Sequence, residues 1–244
     1  MRETRPPHAL HVAAVIPARN EEQAIGKVVA ALPQDLIKRI IVVDNGSTDD
    51  TARIAREAGA QVVSVTRPGY GRACAAGVAA AASVADVILF LDGDYSDFPE
   101  EARAILDPIL RGDADLVLGS RLRGRRQKGA LPPHQLFGNW LISGMMRLLY
   151  GTRVTDLGPF RAIRADLLAG LGMREMTYGW PVEMMVKAAR SGARITEVPV
   201  SYRKRIGKSK ISGTVRGSVL AAYAIIGVTL RYALLPRSRA KERR

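Results

Sequence analysis

The stretch DVILFLDGDYSDFPE, residues 86–100, passes directly from an apolar run into a cluster of carboxylates. The run DVILFLD has almost no polar interruption, which is typical of a strand that is buried on both faces of a sheet. Asp92, Asp94 and Asp97 follow within six positions. The cluster is either an ordinary solvated turn, since turns favour Gly, Asp, Ser and Pro, or a divalent-metal site at a strand end. This stretch alone leaves both interpretations open.

The first two-thirds of the chain repeats the same alternation of apolar runs and helical patterns. Five runs are predicted as strands: HVAAVIPA, IKRIIVVDNG, QVVSVTR, DVILFLD and DLVLGSR. In the helical segment after the second run, Ser47 or Thr48 is expected as the N-cap and Gly59 as the terminator. We therefore predict an α/β fold, with a Rossmann-like, mostly parallel open sheet flanked by helices.

Polar residues, together with Gly and Pro, follow every predicted strand, at the edge where open α/β sheets bind their ligands. They include Pro17, Arg19, Glu21, Asp44, Asn45, Gly69, Gly71, Asp92, Asp94, Ser120 and Arg121. A nucleoside diphosphate with a metal explains this convergence better than a turn does. No Walker-type loop follows any strand, and GYGRACAAG matches the dinucleotide fingerprint GxGxxG only loosely, so a redox dinucleotide is not expected.

Six motifs then occur in a fixed order over residues 14–213: VIPARNEE, VVDNGSTDDT, FLDGDYSDFPE, VLGSR, TDLGPFRA and VPVSYRKRIGKSKISG. With them the chain resembles the family 2 glycosyltransferases of the GT-A fold, particularly the dolichol-phosphate mannose synthase-like branch. The resemblance implies a metal-dependent inverting transferase that moves a hexose from a UDP- or GDP-linked sugar to a lipid-linked acceptor, with polyprenyl phosphate preferred. A small soluble hydroxyl acceptor is one alternative. A non-catalytic sugar-nucleotide-binding partner of a membrane enzyme is another, against which the intact DxD motif argues.

The resemblance also implies residue roles. The contacts to the donor nucleotide would be Pro17, Arg19, Glu21, Asp44, Gly71 and Asp92. Asp92 and Asp94 match the family's DxD, which handles a Mg²⁺ or Mn²⁺ ion between the two donor phosphates, and Ser96 would complete the metal shell. The acceptor or phosphate contacts would be Arg121, Arg161, Arg205, Ser209 and Lys210, the last three on a loop that closes over the donor.

The acceptor decides whether the reaction needs a general base. A phosphate is already an anion, whereas an alcohol must give its proton to a carboxylate. Glu183, in YGWPVEMMVKAARSG, is the candidate for that catalytic base. The equal alternative is an acid in the first turn of a helix, where the dipole favours a negative charge.

Two places depart from the family pattern. Asn45 stands where the family often has a second acid, so contacts to the base or the metal differ there. His134 and Gln135, in GALPPHQLFGN, stand where the dolichol-phosphate branch usually has further Arg or Lys. That second departure weighs against the polyprenyl-phosphate acceptor.

Charge and cysteine content indicate the compartment and the partners. The net charge is +14, and residues 203–244 hold twelve Lys or Arg against one acid. Neither interleaved aromatics nor zinc-finger spacing accompanies this basic tail, so anionic lipid is the expected partner rather than nucleic acid. The single cysteine, Cys74, excludes an internal disulfide, fits a reducing cytosol and is expected to pack inside a helix.

An apolar segment precedes the end of the basic tail. Residues 217–230 form a run of 14 residues bounded by Arg216 and Arg231, shorter than the ~20 that span a bilayer. We therefore predict a GT-A domain over residues 1–213 and, over residues 214–244, an amphipathic helix and tail anchored peripherally on the cytoplasmic face of the membrane. The competing interpretation is that this helix packs on the catalytic domain or on a second copy in a homo-oligomer.

Overall fold

Seven runs of the sequence pair into one sheet in the computed structural model, which describes residues 10–207 and 215–235. The strands are β1 (Val12–Ala18), β2 (Ile37–Asp44), β3 (Gln61–Ser64), β4 (Val87–Phe90), β5 (Leu116–Ser120), β6 (Arg161–Arg164) and β7 (Ile195–Pro199). Their order is β3-β2-β1-β4-β6-β5-β7, so β3 and β7 are the edges. β6 runs antiparallel to β4 and β5, and the other pairs are parallel. The predicted α/β fold with a mostly parallel open sheet is confirmed.

Helices cover both faces of this sheet. They are α1 (Ile25–Ala31), α2 (Thr51–Glu57), α3 (Tyr70–Ala81), α4 (Ala102–Leu110), α5 (Pro133–Tyr150), α6 (Ala165–Leu171), α7 (Trp180–Arg190) and α8 (Val215–Leu234). One core lies between the sheet and α1, α2 and α4, and a second between the sheet and α3, α5, α6, α7 and α8. Cys74 is fully buried in the second core, where burial raises the pKa of its thiol.

Strand β1 shows why the sequence of this sheet lacks polar alternation. All seven of its residues are buried. Ala14 and Ile16 belong to the first core, whereas Ala13 and Val15 belong to the second. Because successive side chains of a strand point to opposite faces, a strand covered on both faces must be apolar throughout.

The carboxyl ends of the first three strands are aligned. Ala18 of β1 pairs with Asp44 of β2, and Asp44 pairs with Ser64 of β3. The loops that follow these strands therefore begin at one level of the sheet, which brings their polar residues to the same edge.

One local prediction was wrong, and two strands were not predicted. Helix α2 begins at Thr51, so neither Ser47 nor Thr48 is its N-cap, although Gly59 does follow its end with a φ of 94°. The Ser47 hydroxyl instead accepts a hydrogen bond from the backbone N–H of Asn20 at 3.0 Å, which ties the first two strand-end loops together. Strands β6 and β7 were also not anticipated, because their four and five residues alternate in burial or end in charged groups.

Helix α8 packs against α5 and α7. Val228 and Thr229 are buried, the Tyr150 hydroxyl donates to the Thr229 carbonyl, and the Tyr232 hydroxyl donates to Glu183 Oε1 at 2.8 Å. One side of the helix thus packs on the rest of the chain, as the competing interpretation held. Within residues 10–207 and 215–235, no helix is long and apolar enough to cross a membrane.

Candidate active site

A cleft of about 280 Å³ opens at the carboxyl ends of β1, β2 and β4. Of the residues predicted from the sequence, it brings together Pro17, Arg19, Glu21, Asp92, Asp94 and Arg205. The remaining lining residues are Ala18, Asn45, Pro68, Gly69, Tyr70, Gly93, Thr177 and Tyr178. The cleft is close in size to the smaller pockets that hold cofactors or ligands.

The acidic loop, residues 92–98, forms one wall of the cleft. Its turn is closed by Asp94, whose Oδ1 accepts hydrogen bonds from the Ser96 N–H at 2.9 Å and the Ser96 hydroxyl at 2.6 Å. Asp92 is half-buried, and its Oδ1 accepts a hydrogen bond from the Tyr70 hydroxyl at 3.3 Å. The loop thereby presents two carboxylates to the cleft with Ser96 behind the second one.

The electrostatics of the acidic loop fit a divalent cation. Burial and the negative charge of Asp94 raise the pKa of Asp92 to about 7. Two carboxylates held this close repel each other, and a cation bound between them would relieve the repulsion. Their oxygen atoms are also the ligands that Mg²⁺ and Mn²⁺ prefer. Among the described residues no group of three His, Cys, Asp or Glu could hold a metal, so other ligands would have to complete the shell.

Asp97 belongs to the same loop but stays behind it. The residue is 2% exposed, and neither carboxylate oxygen makes a hydrogen bond of good geometry within the described part of the chain. Burial and the nearby charge of Asp92 raise the pKa of Asp97 well above its usual range, which favours a neutral side chain.

Arg205 forms ion pairs with two of the acids that line the cleft. Its Nη2 lies 2.7 Å from Glu21 Oε1, and its Nη1 lies 3.2 Å from Asp94 Oδ2. The guanidinium thus bridges the first strand-end loop and the acidic loop across the cleft. Ser209 and Lys210, predicted for the same closing loop, lie outside the described residues.

The loop after β2 contributes differently than expected. Asp44 is half-buried and accepts a hydrogen bond from the Ser47 N–H at 3.0 Å, but it does not line the cleft in this arrangement. Its neighbour Asn45 does line it, and Asn45 Oδ1 accepts a hydrogen bond from the Gly69 N–H at 2.8 Å. The residue that departs from the family pattern therefore fixes the start of α3.

Gly71 is placed against protein rather than in the cleft. Its N–H donates to the Thr177 carbonyl at 3.2 Å, and a Cβ at this position would lie 2.4 Å from the Glu175 carbonyl oxygen. A glycine is needed because the backbone of residues 175–177 approaches so closely. That approach is what brings Thr177 and Tyr178 into the wall of the cleft.

Arg121 and Arg161 are both buried and already paired. Arg121 Nε and Nη2 donate to the two carboxylate oxygens of Asp156 at 2.8 and 2.7 Å, and the Asn139 amide donates to Asp156 at 2.8 Å. Arg161 is 2% exposed and donates to the carbonyls of residues 157, 158 and 181, while burial lowers its pKa. Neither arginine lines the cleft, and their contacts with an acceptor phosphate stay a prediction.

Glu183 is likewise held inside the protein. It is 0% exposed, and its carboxylate accepts from the backbone N–H groups of Arg174 and Glu175, from Lys187 and from the Tyr232 hydroxyl. Burial opposes ionisation, but these hydrogen bonds outweigh it and hold the pKa of Glu183 below its ordinary value. A fully bonded carboxylate of low pKa away from the cleft is poorly suited to act as a general base. The geometry favours the alternative of an acid in the first turn of α7.

Comparisons with known proteins agree with this arrangement. The family model described as Glycosyl transferase family 2 matches residues 13–172. A Mycobacterium tuberculosis protein described as an uncharacterized glycosyltransferase is 41% identical over 215 residues, covering 86% of this chain and 94% of that protein. The undecaprenyl-phosphate mannosyltransferase of Micrococcus luteus is 32% identical over 244 residues, covering 93% of this chain and 96% of that protein.

The fold recurs in a solved structure with bound ligands. Glucosyl-3-phosphoglycerate synthase of Mycobacterium tuberculosis, in complex with Mn²⁺, uridine diphosphate and phosphoglyceric acid, matches with a TM-score of 0.72. The sequences are 24% identical, and the match covers 94% of this chain and 80% of that one. This likeness is one of fold.

Proposed function

The chain belongs to glycosyl transferase family 2, and we propose that it moves a hexose from a UDP- or GDP-linked sugar to a polyprenyl phosphate at a membrane surface. It is a glycosyltransferase by family. The identity of the acceptor is the proposal. It is carried by one observation, an exposed apolar surface on α5, the helix whose Asn139 donates to Asp156, the buried partner of Arg121.

That surface is the apolar stripe of α5, formed by Phe137, Trp140 and Leu148. These side chains are 62, 68 and 84% exposed, at spacings that place them on one side of the helix. The opposite side of the same turn carries Asn139, which donates to Asp156. Large exposed apolar groups in this number usually mark a binding surface. Lipid suits it because Phe and Trp favour the membrane interface.

Helix α8 adds to the same kind of surface. Tyr223 and Leu234 are 82 and 86% exposed, and Leu230 between them is 46% exposed. Since α8 packs on α5, two neighbouring helices each present apolar side chains to the outside. Arg147 and Arg231 are exposed on these helices and would favour an anionic leaflet. We therefore propose that α8 packs on the rest of the chain with one side and faces lipid with the other, so that the predicted peripheral anchor is docked on the domain.

The donor would bind in the cleft. Asp92 and Asp94 would hold the Mg²⁺ or Mn²⁺ ion, which when bound neutralises negative charge on the departing nucleoside diphosphate. Arg205 would add positive charge on the same side of the cleft. Pro17, Arg19, Glu21 and Asp44 remain predicted contacts of the nucleotide.

The small number of acids that line the cleft also favours a phosphate acceptor over an alcohol, because none of them is left to act as a base. Glu21, Asp92 and Asp94 are the acids among the described lining residues. Glu21 and Asp94 are paired with Arg205, and Asp92 would be a metal ligand. An alcohol acceptor would need a further carboxylate to take its proton, whereas a phosphate would not.

Release of nucleoside diphosphate tests the proposal. We expect release from a UDP- or GDP-sugar only when Mn²⁺ and an undecaprenyl phosphate in detergent are both present. The assay is run over a panel of UDP- and GDP-sugars, with undecaprenol, which lacks the phosphate, as the matched control. Release with a soluble hydroxyl acceptor alone would contradict the lipid acceptor, and no release with any donor would favour a non-catalytic binding protein.

Membrane attachment should depend on the apolar stripe of α5. We expect Phe137→Ser with Trp140→Ser to weaken binding to phosphatidylglycerol-containing vesicles by on the order of a hundredfold or more, because each ring loses roughly 1.5–3 kcal/mol of burial in the interface. Co-sedimentation measures the binding. The control is Leu110→Ser on α4, an apolar residue that is 37% exposed on the other layer. Equal binding of the double variant and the unmodified chain would contradict the lipid-facing assignment.

A further inference from the structure

Residues 201–206 lie along the acidic loop as a paired segment. The backbone of residues 201–206 donates to the backbone of the acidic loop at two places, one of which belongs to an isolated antiparallel bridge between Asp97 and Tyr202. The backbone bonds run from the Arg203 N–H to the Ser96 carbonyl, 2.9 Å, and from the Ile206 N–H to the Asp94 carbonyl, 3.0 Å. The segment that carries Arg205 is therefore held directly on the loop that carries the two carboxylates.

The side chain of Arg203 strengthens this pairing. Its Nε donates to the Tyr95 carbonyl at 2.8 Å, and its Nη2 donates to the Asp97 carbonyl at 3.1 Å. The guanidinium carbon lies 3.6 Å from the ring centroid of Tyr95 and 4.0 Å from that of Phe98. A guanidinium combines such planar stacking with a fork of donors, and a lysine ammonium cannot do both.

Tyr95 itself has an unusual backbone. Its φ is +60°, and apart from Asn20 it is the only non-glycine residue with a positive φ in the part of the chain described. An aromatic residue rarely adopts this conformation, so the surroundings must hold it there. Here the conformation closes the turn in which Ser96 bonds to Asp94, and the Tyr95 ring and carbonyl are both in contact with Arg203.

We infer that Arg203 is a positioning residue for glycosyl transfer, which locks the acidic loop in its turn and brings Arg205 to Asp94. Arg203 does not line the cleft, so it acts through the groups that do. The inference rests on the proposed function, since it assigns a role in placing the donor phosphates. Both Tyr95 and Arg203 lie within the sequence motifs, but no role was predicted for either, because nothing in the sequence shows that they contact each other.

Four single variants distinguish the contributions of the Tyr95 ring, the charge at position 203 and the backbone conformation at position 95. Arg203→Lys keeps the charge but removes the stacked fork. Tyr95→Asn removes the ring but tolerates a positive φ, and Tyr95→Phe keeps the ring. Lys204→Ala is the matched control, because Lys204 is the next residue along and its side chain is exposed.

Amide hydrogen exchange measures, independently of activity, how firmly the contacts of Arg203 with Tyr95 hold the acidic loop. In Arg203→Lys and in Tyr95→Asn, peptides from the acidic loop and from residues 201–206 should exchange faster by on the order of tenfold, the factor that corresponds to losing a desolvated cation–π contact. Peptides from α7 serve as the internal reference. Tyr95→Phe and Lys204→Ala should exchange like the unmodified chain.

Nucleotide binding tests whether Arg203 positions the groups that hold the donor. Calorimetric titration with Mn²⁺–UDP and Mn²⁺–GDP should show binding weakened by on the order of tenfold in Arg203→Lys and Tyr95→Asn. The double variant should be little weaker than either single variant, since both remove the same contact. Faster exchange with unchanged nucleotide affinity would mean that the Arg203–Tyr95 contact has only a structural role. That result would overturn this inference but not the proposed function. Binding of neither nucleotide by the unmodified chain would overturn the proposed function and this inference with it.

Discussion

Replacing Asp94 by Asn is expected to reduce transfer by at least about a thousandfold, because under the proposed assignment it removes a charged ligand of the metal that would stabilise the departing diphosphate. Lewis-acid stabilisation by a metal contributes several kcal/mol, and each 1.36 kcal/mol is a factor of ten in rate. The Asn side-chain oxygen still accepts the hydrogen bonds that Ser96 donates to Oδ1 of Asp94. The acidic loop should therefore keep its turn, and the loss of activity should come from the missing charge rather than from a change in the fold.

The measurement is nucleoside diphosphate release at saturating Mn²⁺, together with the thermal unfolding midpoint. The midpoint should change little, since Asp94 contacts a loop and not the apolar cores. Asp113→Asn is the matched control, because Asp113 is exposed and paired only at the surface with Arg111. Near-normal turnover of Asp94→Asn at saturating Mn²⁺ would contradict the metal assignment.

Replacing Asp156 by Ala is expected to lower the free energy of unfolding by roughly 3–5 kcal/mol, because it leaves the guanidinium of Arg121 buried without a counter-charge. Asp156 is 0% exposed. Its carboxylate also accepts hydrogen bonds from the Arg121 N–H at 2.8 Å, the Leu157 N–H at 2.7 Å and the Asn139 amide at 2.8 Å. Urea unfolding, followed by circular dichroism, measures the change.

A surface pair with the same geometry provides the control. Arg194 binds Asp115 through Nε and Nη2 at 3.0 and 2.8 Å, but the two side chains are 54 and 21% exposed. Asp115→Ala should cost only a small part of what Asp156→Ala costs, since water replaces the lost partner. Equal losses in the two variants would show that burial does not set the strength of the Arg121 pair.

The same pair predicts how stability depends on pH. Burial opposes ionisation of Asp156, but the charge and hydrogen bonds of Arg121 outweigh it and hold the pKa below its ordinary value. A carboxyl group with a lowered folded-state pKa stabilises the fold above its unfolded-state pKa of about 3.9 and loses that contribution as the pH falls through the folded-state value. Asp156→Ala should remove this part of the acid sensitivity, so the stability difference between variant and unmodified chain should shrink below about pH 4.

The central parallel strands could be predicted because they are covered on both faces. β1 and β4 are continuous apolar runs, β2 becomes one after Lys38 and Arg39, and the polar residues at their ends mark the cleft. β6 could not be found in this way. It has four residues, begins and ends with Arg, and runs in the opposite direction between two strands that come earlier in the chain. Nothing local in its sequence encodes that insertion.

Residue types at the site were easier to predict than their bonding. Asp92, Asp94, Glu21 and Arg205 lie in the cleft as their motifs indicated. Arg161 lies within a motif too, yet its guanidinium is occupied by backbone carbonyls that the sequence cannot place. A motif specifies where the chain passes, whereas the direction of a long side chain depends on packing from other segments.

Some cleft residues were missed, and two of them come from a segment that does not follow a strand end. Thr177 and Tyr178 precede α7 and reach the cleft only because Gly71 lets their segment approach α3. Tyr70 follows the third strand, but an aromatic residue at a helix start reads equally well as core. The sequence signal for this approach was Gly71 in the first turn of α3, because a glycine there indicates that another segment packs closely.

The edges of the sheet also restrict how copies of this chain can associate. An edge strand offers unpaired N–H and C=O groups to another sheet, and such pairing leads to aggregation. β3 is only four residues long, and β7 is five residues long and ends in Pro199, which has no N–H to donate. Both edges are poor templates for continuing the sheet from one molecule to the next. Within the described residues, two copies of this chain are therefore not expected to join by extending the sheet.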